Sequence, residues 1–524
     1  MKSIYSLLLL LVLSLSSIAQ DQNISNGAFF DGEPYIAINP ENEDHLVIAW
    51  MSAEFLNAIV IRSKVSFDGG ESWSTPVFFE HAVSGYTSAD VSMQFDSEGN
   101  LYAAYVDYDN ITASGGAVYV RKSTDGGLSW GDPVEAISLE DCPDKLCIDR
   151  PWIAVDRSGG DYDGTVYVTT MNAKLLPVFP PYNPYYSRST DGGASFLEPD
   201  FLDTDGFLAG SLIPQPMPSP VVGSDGTFHA MYPSYVLTQS LFAQLILASS
   251  DDGGQNLSHQ VAYQGSGNDT DSLPKKGSLL RVNPANPDHL AYFMPLSNFG
   301  DLDVHFIETE DGGETWTMDQ RLNDDPIGNG IMQDLIWADF DEDGDLAVCW
   351  RDRRSSGESG YEVGTEIWGT VRWADSTSFS PNFVVSSEQA DHMEVLNGSG
   401  NDFMCVDFNN DMLYAVWGDV RNGVLSIYLN VMDPATGDVN IQEIIHEQHS
   451  ILEIYPNPSA DYIKLKTPLW PSTITFFDQQ GKEVYELLGY HAGESIPVEH
   501  LKSGQYYVLC ENKEGDSWGR LTIE

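Results

Sequence analysis

The sequence predicts an all-β chain, an array of repeated four-stranded units followed by a small C-terminal β-sandwich. Three observations predict it. A short turn motif returns five times at near-constant spacing. A pair of apolar, β-rich runs joined by a polar turn returns seven times, out of phase with the first motif. From about Ile451 the texture changes to a separate set of short strands. Self-similarity at a fixed period marks an array before any single residue is interpreted.

The turn motif reads SFDGGESW at Ser66 to Trp73, STDGGLSW at Ser123 to Trp130 and STDGGASF at Ser189 to Phe196. It returns as SDDGGQNL at Ser250 to Leu257 and TEDGGETW at Thr309 to Trp316. Its aspartates Asp68, Asp125, Asp191, Asp252 and Asp311 stand 57, 66, 61 and 59 residues apart. Asp-Gly-Gly is turn chemistry, because the carboxylate bonds N–H groups just ahead of it and glycine accepts positive φ. The Ser or Thr two residues earlier joins that local network, and the Trp packs back onto the unit. The motif resembles the Asp box, or BNR repeat, of sialidase-like β-propellers. That resemblance implies propeller blades and makes the five aspartates structural.

The second repeat occupies 34–50, 90–106, 151–170, 218–232, 277–293, 334–350 and 402–417. Each copy reads as the two inner strands of a blade, A and B. Strand C then precedes the Asp box and strand D follows it. Degenerate boxes at Trp373-Ala374-Asp375-Ser376 and Met432 to Gly437 complete the set. Seven units fill 28–447, so seven blades are expected, with six blades plus an extra strand pair as the alternative.

Residues 1–19 read as a signal peptide, with Lys2, the apolar run Leu7 to Leu15, and Ser17-Ile18-Ala19 before Gln20. No later apolar run has the length to cross a membrane. The expected boundaries are propeller 20–446, linker 447–450 and terminal domain 451–524. In that last stretch YPNPS (455–459), GKEVY (481–485) and LKSGQYY (501–507) resemble the C-terminal sorting domain of Bacteroidetes type IX secretion cargo. The resemblance implies export across the outer membrane, a secreted or cell-surface location, and the type IX machinery as a partner.

Lys and Arg number 25 against 78 Asp and Glu, a net charge of −53, which excludes nucleic acid as a partner. Of the five cysteines, Cys142 and Cys147 are expected to form a small disulfide. Cys349 and Cys405 either pair or are simply buried, and Cys510 is left over. No cofactor or metal is expected. DFDEDGD (339–345) looks like a calcium loop, but Trp350 stands where the twelfth-position Glu would be. It reads as an ordinary A–B turn, with a structural calcium as the alternative.

In a propeller the B–C loops and the loops leading into strand A share the face opposite the Asp boxes. Two B–C loops read Trp-x-Asp-x-Arg: Trp350 to Arg354 and Trp417 to Arg421. Tyr105, Asp107 and Asp109 occupy the same place in unit 2, and Asp149-Arg150-Pro151-Trp152 leads into unit 3. Sialidases hold a substrate carboxylate with three arginines, whose planar forks match it. They use a Tyr nucleophile, a Glu that activates it and an Asp acid/base. The resemblance therefore implies a secreted glycoside hydrolase of exo-sialidase type acting on extracellular glycans or glycoproteins. Its ligand-face candidates are Asp149, Arg150, Asp352, Arg354, Asp419 and Arg421. Here Phe30-Asp31-Gly32-Glu33-Pro34-Tyr35 stands where sialidases carry Phe/Tyr-Arg-Ile-Pro, and no Tyr–Glu pair is assigned. The alternative is a non-catalytic propeller that binds glycans or proteins. The residues alone also allow each Asp–Arg pair to bridge to the next blade, with its Trp filling the space between. Asp31, Glu33, Asp90, Lys275, Lys276, Asp334, Asp391, His392 and Glu394 lie in other loops leading into strand A.

Overall fold

The computed structural model describes residues 21–27, 29–53, 59–111, 115–142, 145–172, 180–265, 277–392, 401–436, 450–466, 472–477, 483–491, 494–512 and 515–523. The expected signal peptide, most of the expected linker, Lys275, Lys276 and Glu394 lie outside these residues. Two compact units divide the chain, Met1–Ile441 and Gln442–Glu524.

The first unit is a ring of seven four-stranded antiparallel sheets. Blade 1 runs Asp31–Asn39, Asn42–Ala53, Ile59–Ser66 and Val77–Phe78 as strands A to D. Strand A of the next five blades is Thr87–Phe95, Asp149–Val155, Ser219–Val222, Leu279–Asn283 and Gln333–Phe340; in blade 7 it is Cys405–Asn409. Inner strands read as unbroken apolar runs because both of their faces meet neighbouring blades. In blade 1, residues 45–52 are all buried.

Blade 7 departs from the expected order. Its strands A to C lie at Cys405–Asn409, Met412–Asp419 and Ser426–Met432, and its outer strand is Gln22–Asn23 from the start of the unit. Gln22 pairs with Leu429 and Asn23 with Tyr428. The Ile24 N–H bonds the Ile427 carbonyl at 2.8 Å, and the Ile24 side chain is buried. The ring is thus closed by joining its two ends in one sheet.

The Asp boxes have the expected chemistry. In blade 2 the Ser123 hydroxyl donates to Asp125 at 2.8 Å and accepts the Gly127 N–H at 2.7 Å, while Asp125 accepts the Ser129 N–H at 2.9 Å. The first Asp box needs its glycines: Gly69 and Gly70 have φ of 70° and 94°, a region costly for other residues. The boxes also fasten one blade to the one before. The Gly126 carbonyl accepts from His45 of blade 1 at 2.8 Å, Gly192 from Tyr102 of blade 2 at 3.2 Å, and Gly254 from Tyr186 of blade 3 at 3.1 Å.

Strand A has an open edge toward the channel, and its N–H groups need partners. Side chains of the preceding blade supply them. Gln94 accepts the Val155 N–H at 2.7 Å, Asp339 that of Phe408 at 3.3 Å, and Asp407 that of Ile38 at 3.1 Å.

Cys142 and Cys147 form a disulfide. Cys349 and Cys405 do not pair; both are buried thiols, as is Cys510.

The second unit holds a five-stranded sheet and a three-stranded sheet. Its core includes Ile463, Ile474, Phe476, Val508 and Leu521, all fully buried.

Candidate functional site

At the head of strand A the A–B ladder slips in four blades. The breaks fall between Gly32 and Tyr35, Ala89 and Ser92, Asp149 and Trp152, and Asp334 and Trp337. One residue in each break takes a left-handed backbone: Glu33 (φ 52°), Asp90 (52°), Arg150 (53°) and Leu335 (50°). That conformation costs a residue with a side chain roughly 1–2 kcal/mol. In blades 1, 2 and 3 it is adopted by charged residues whose side chains meet.

Arg150 is the hub. Only 2 % exposed, its guanidinium forms an ion pair with Asp402, a residue just ahead of strand A in blade 7. The Arg150 N–H bonds the Asp90 carboxylate at 3.4 Å, and the guanidinium lies 5.3 Å from the centre of the Phe403 ring. Burial, and then the charges of Asp402 and Asp90, hold the Glu33 carboxyl well above the usual carboxylate range. Glu33 thus gives up its proton less readily than a solvated glutamate, beside ionisable neighbours. Tyr108 is pushed up by burial and by Asp90, Asp149 and Glu33, so its phenol stays protonated. Asp149 accepts from Gln215 at 2.7 Å.

Below this cluster an aromatic layer crosses the channel. Trp152 lies 5.6 Å from Trp337 and 5.2 Å from Phe403, and Tyr35 lies 5.6 Å from Trp337, centre to centre.

The two Trp-x-Asp-x-Arg loops are near copies of each other. Asp352 accepts from Trp350 at 2.8 Å and from Arg354 at 3.0 Å; Asp419 accepts from Trp417 at 3.2 Å and from Arg421 at 2.9 Å. Each arginine stacks on strand C of its own blade, Arg354 over Trp368 at 4.2 Å and Arg421 over Tyr428 at 4.5 Å. Each then reaches a second carboxylate, Asp324 for Arg354 at 2.6 Å and Asp21 for Arg421 at 2.7 Å. Asp324 follows strand D of blade 5, so this arginine bridges blades near the outer strands. Arg150, Arg354 and Arg421 thus engage different protein carboxylates.

Asp334 is enclosed by Arg351 at 2.7 Å, Arg353 at 3.1 Å and the Tyr361 hydroxyl at 2.7 Å. Its carboxyl is pushed up by burial but held far below the usual range by the two arginines. Asp31 accepts from Trp50 at 3.0 Å. Asp107 accepts from His81 at 2.8 Å and from Ser88 at 3.1 Å. Both contacts of the His81 ring fall on Nδ1, whereas a nucleophile relay needs both ring nitrogens. Asp391 is exposed and His392 half-buried.

On the opposite face, Asp341, Asp343 and Asp345 bring carboxylate oxygens within 4.8 Å of one another. Asp341 also caps its own turn, accepting the Asp345 N–H at 2.9 Å, and burial together with Asp343 pushes it up to about 7. These three could hold a cation. They sit at the A–B turn of blade 6, away from the Arg150 cluster at the head of strand A.

Sequence reasoning named Glu33, Asp90 and Arg150 separately and missed Asp402. The available signal was Asn401-Asp402-Phe403, an acid directly ahead of a channel-facing aromatic.

Residues 453–524 match a family described as a secretion system C-terminal sorting domain. No curated protein matches the chain. Among solved structures it is similar to the NanB sialidase of Streptococcus pneumoniae at 13% identity and TM-score 0.40, covering 80% of this chain and 70% of that one. It is similar to the intramolecular trans-sialidase of Ruminococcus gnavus at 12% identity and TM-score 0.41, covering 80% and 99%. It is also similar to the α-L-arabinanase of Penicillium chrysogenum at 12% identity and TM-score 0.42, covering 79% and 98%. These proteins differ in named activity, so the functional reading below rests on this chain's own residues. What this chain carries is a seven-bladed β-propeller, followed over residues 453–524 by a match to a secretion system C-terminal sorting domain.

Proposed function

We propose that the exported propeller is a glycoside hydrolase acting on extracellular glycans, with its acid–base chemistry at the channel mouth around Glu33, Asp90, Arg150 and Asp402. One observation carries this reading. Three successive blades hold charged residues in left-handed backbone, and their side chains meet around a buried Glu33 whose carboxyl burial holds well above the usual range. A carboxyl raised by burial beside a second carboxyl is the pairing that glycosidic cleavage uses. Strain retained at converging polar groups points to function rather than to packing.

Recognition of an acidic sugar is the weaker form of the reading, because Arg150, Arg354 and Arg421 already serve protein carboxylates. The net charge of −53 also repels acidic substrates. A second reading is a propeller that binds glycan without cleaving it. The enclosure of Glu33, 3 % exposed, favours it.

The test is turnover of a panel of fluorogenic glycosides, neutral sugars and a sialoside, by wild type, Glu33→Gln and Asp402→Asn. Cleavage of at least one substrate is expected, with each variant losing about 100-fold or more in rate. Binding on a glycan array without turnover on any glycoside would replace this reading with the second.

A further inference from the structure

The channel also holds a cavity of about 410 Å³ whose lining runs from the aromatic layer to the A–B turns, on the Asp-box side of the ring. Arg150 and Phe403 lie on its wall as well as at the mouth, whereas Glu33, Asp90 and Asp402 do not line it. At the inner end lie Tyr35, Trp152, Trp337 and Phe403. The indole N–H of Trp337 finds no hydrogen-bond partner among the described residues, although the side chain is only 5 % exposed. An unmet buried donor is costly and rare, which makes it a pointer to a missing acceptor.

A second polar group is also uncommitted. Arg157, in the A–B turn of blade 3, lines the cavity and makes no hydrogen bond or ion pair among the described residues. Its side chain is exposed at that turn, with Asp339, Asp407 and Glu342 as the acidic groups acting on it. Asp339 and Asp407 line the same cavity. Arg281 stands 3.5 Å from Asp339. The site therefore offers cationic and indole donors and carboxyl groups, all close to an aromatic surface.

We propose that this cavity is a second ligand site, below the channel mouth and sharing Arg150 and the aromatic layer with it, which takes a neutral, hydroxyl-rich ring of mono- or disaccharide size. The volume is that of a small-molecule site. A sugar's C–H face packs on the aromatic layer, and its hydroxyls accept from Trp337 and Arg157 and donate to Asp339. Charges of both signs line the cavity, Arg150, Arg157 and Arg281 against Glu41, Asp339 and Glu342, so no large excess of one sign holds an ionic ligand. The site goes beyond the proposed hydrolysis and does not depend on it.

The test is calorimetric titration of the full exported chain with glucose, galactose, xylose, lactose and cellobiose, and with N-acetylneuraminate and spermidine as charged probes. Saturable one-to-one binding of at least one neutral sugar is expected. Arg157→Gln, a change in a surface turn, should weaken it about tenfold or more, because a charged hydrogen bond is lost. Trp337→Phe, which keeps the aromatic face and removes the N–H, should also weaken it. Glu33→Gln should leave it unchanged, which separates this site from the mouth. Absence of binding by every neutral sugar, binding only of a charged probe, or equal affinity in wild type and Arg157→Gln would each overturn the proposal.

Discussion

At the scale of single residues, Arg150 decides the character of the mouth. It lies among Glu33, Asp90, Asp149 and Asp402, and its positive charge opposes the acidic groups around it. Removing one partner of a buried ion pair costs about 3–5 kcal/mol, because the remaining charges stay desolvated. Arg150→Met should therefore lower unfolding free energy in urea by about that amount, whereas a change under about 1 kcal/mol would mean that solvent screens the cluster. The sequence made Arg150 visible, since an Asp-Arg-Pro-Trp run ahead of a β-rich stretch is unusual. It could not reveal the convergence with Glu33 and Asp402, which lie 117 residues before and 252 residues after Arg150. Only closure of the ring brings blades 1, 3 and 7 together. Arg354 and Arg421 were visible for the same reason, as copies of one motif. Repetition there reflects a repeated interblade fastening, with each guanidinium stacked on its own blade and paired beyond it.

At the scale of elements, two devices hold the ring. The first is the Asp box, and the sequence displayed it fully because its chemistry is local. Ser123→Ala would leave the Gly127 N–H without its acceptor in a buried turn, at a cost of about 1–3 kcal/mol. A thermal unfolding scan of that variant should show the loss. The second device is the closing strand, which pattern reading placed at the wrong end of the chain. A two-residue strand carries no periodicity. Residues 21–24 were legible only as the stretch after the signal peptide. Asp21 makes that strand more than a backbone pairing. Its side chain accepts from the Ser387 N–H at 2.9 Å, from Asn430 at 3.0 Å and from Arg421 at 2.7 Å. Asp21→Ala should destabilise the propeller by about 1–3 kcal/mol, because Asn430 loses this acceptor while Arg421 keeps Asp419. Stability within 1 kcal/mol of wild type in urea unfolding would show that the ring does not depend on this closure.

At the scale of the whole molecule, carboxylates set how stability follows pH, in two opposite groups. In the Asp boxes, hydrogen bonds from Thr309 and Thr315 bring Asp311 down to about 2. Stability from a depressed carboxyl is present above the unfolded value near 4 and is lost as pH falls toward 2. In the channel and the adjoining turn, burial raises Asp339 to about 6, Asp341 to about 7 and Asp407 to about 8. The folded chain holds protons there that the unfolded chain releases above pH ~4, so stability drains as pH rises through 6 to 8. The propeller should be most stable near pH 4–5, and its urea midpoint at pH 5 should exceed that at pH 8.5 in high salt, where net-charge repulsion is screened. The reverse order would contradict the burial of these groups. Composition announced the acidity but not this division, because a carboxylate in a turn and one in the channel look alike in a sequence.

The central claim is that function resides at the channel mouth around Glu33, and not in the repeated arginine loops. It is tested most directly by the rate of hydrolysis of the best glycoside of the panel by wild type, Glu33→Gln and Arg421→Lys. The account predicts a loss of about 100-fold or more for Glu33→Gln and a rate close to wild type for folded Arg421→Lys. Full activity in Glu33→Gln, with loss confined to the arginine variant, would contradict it.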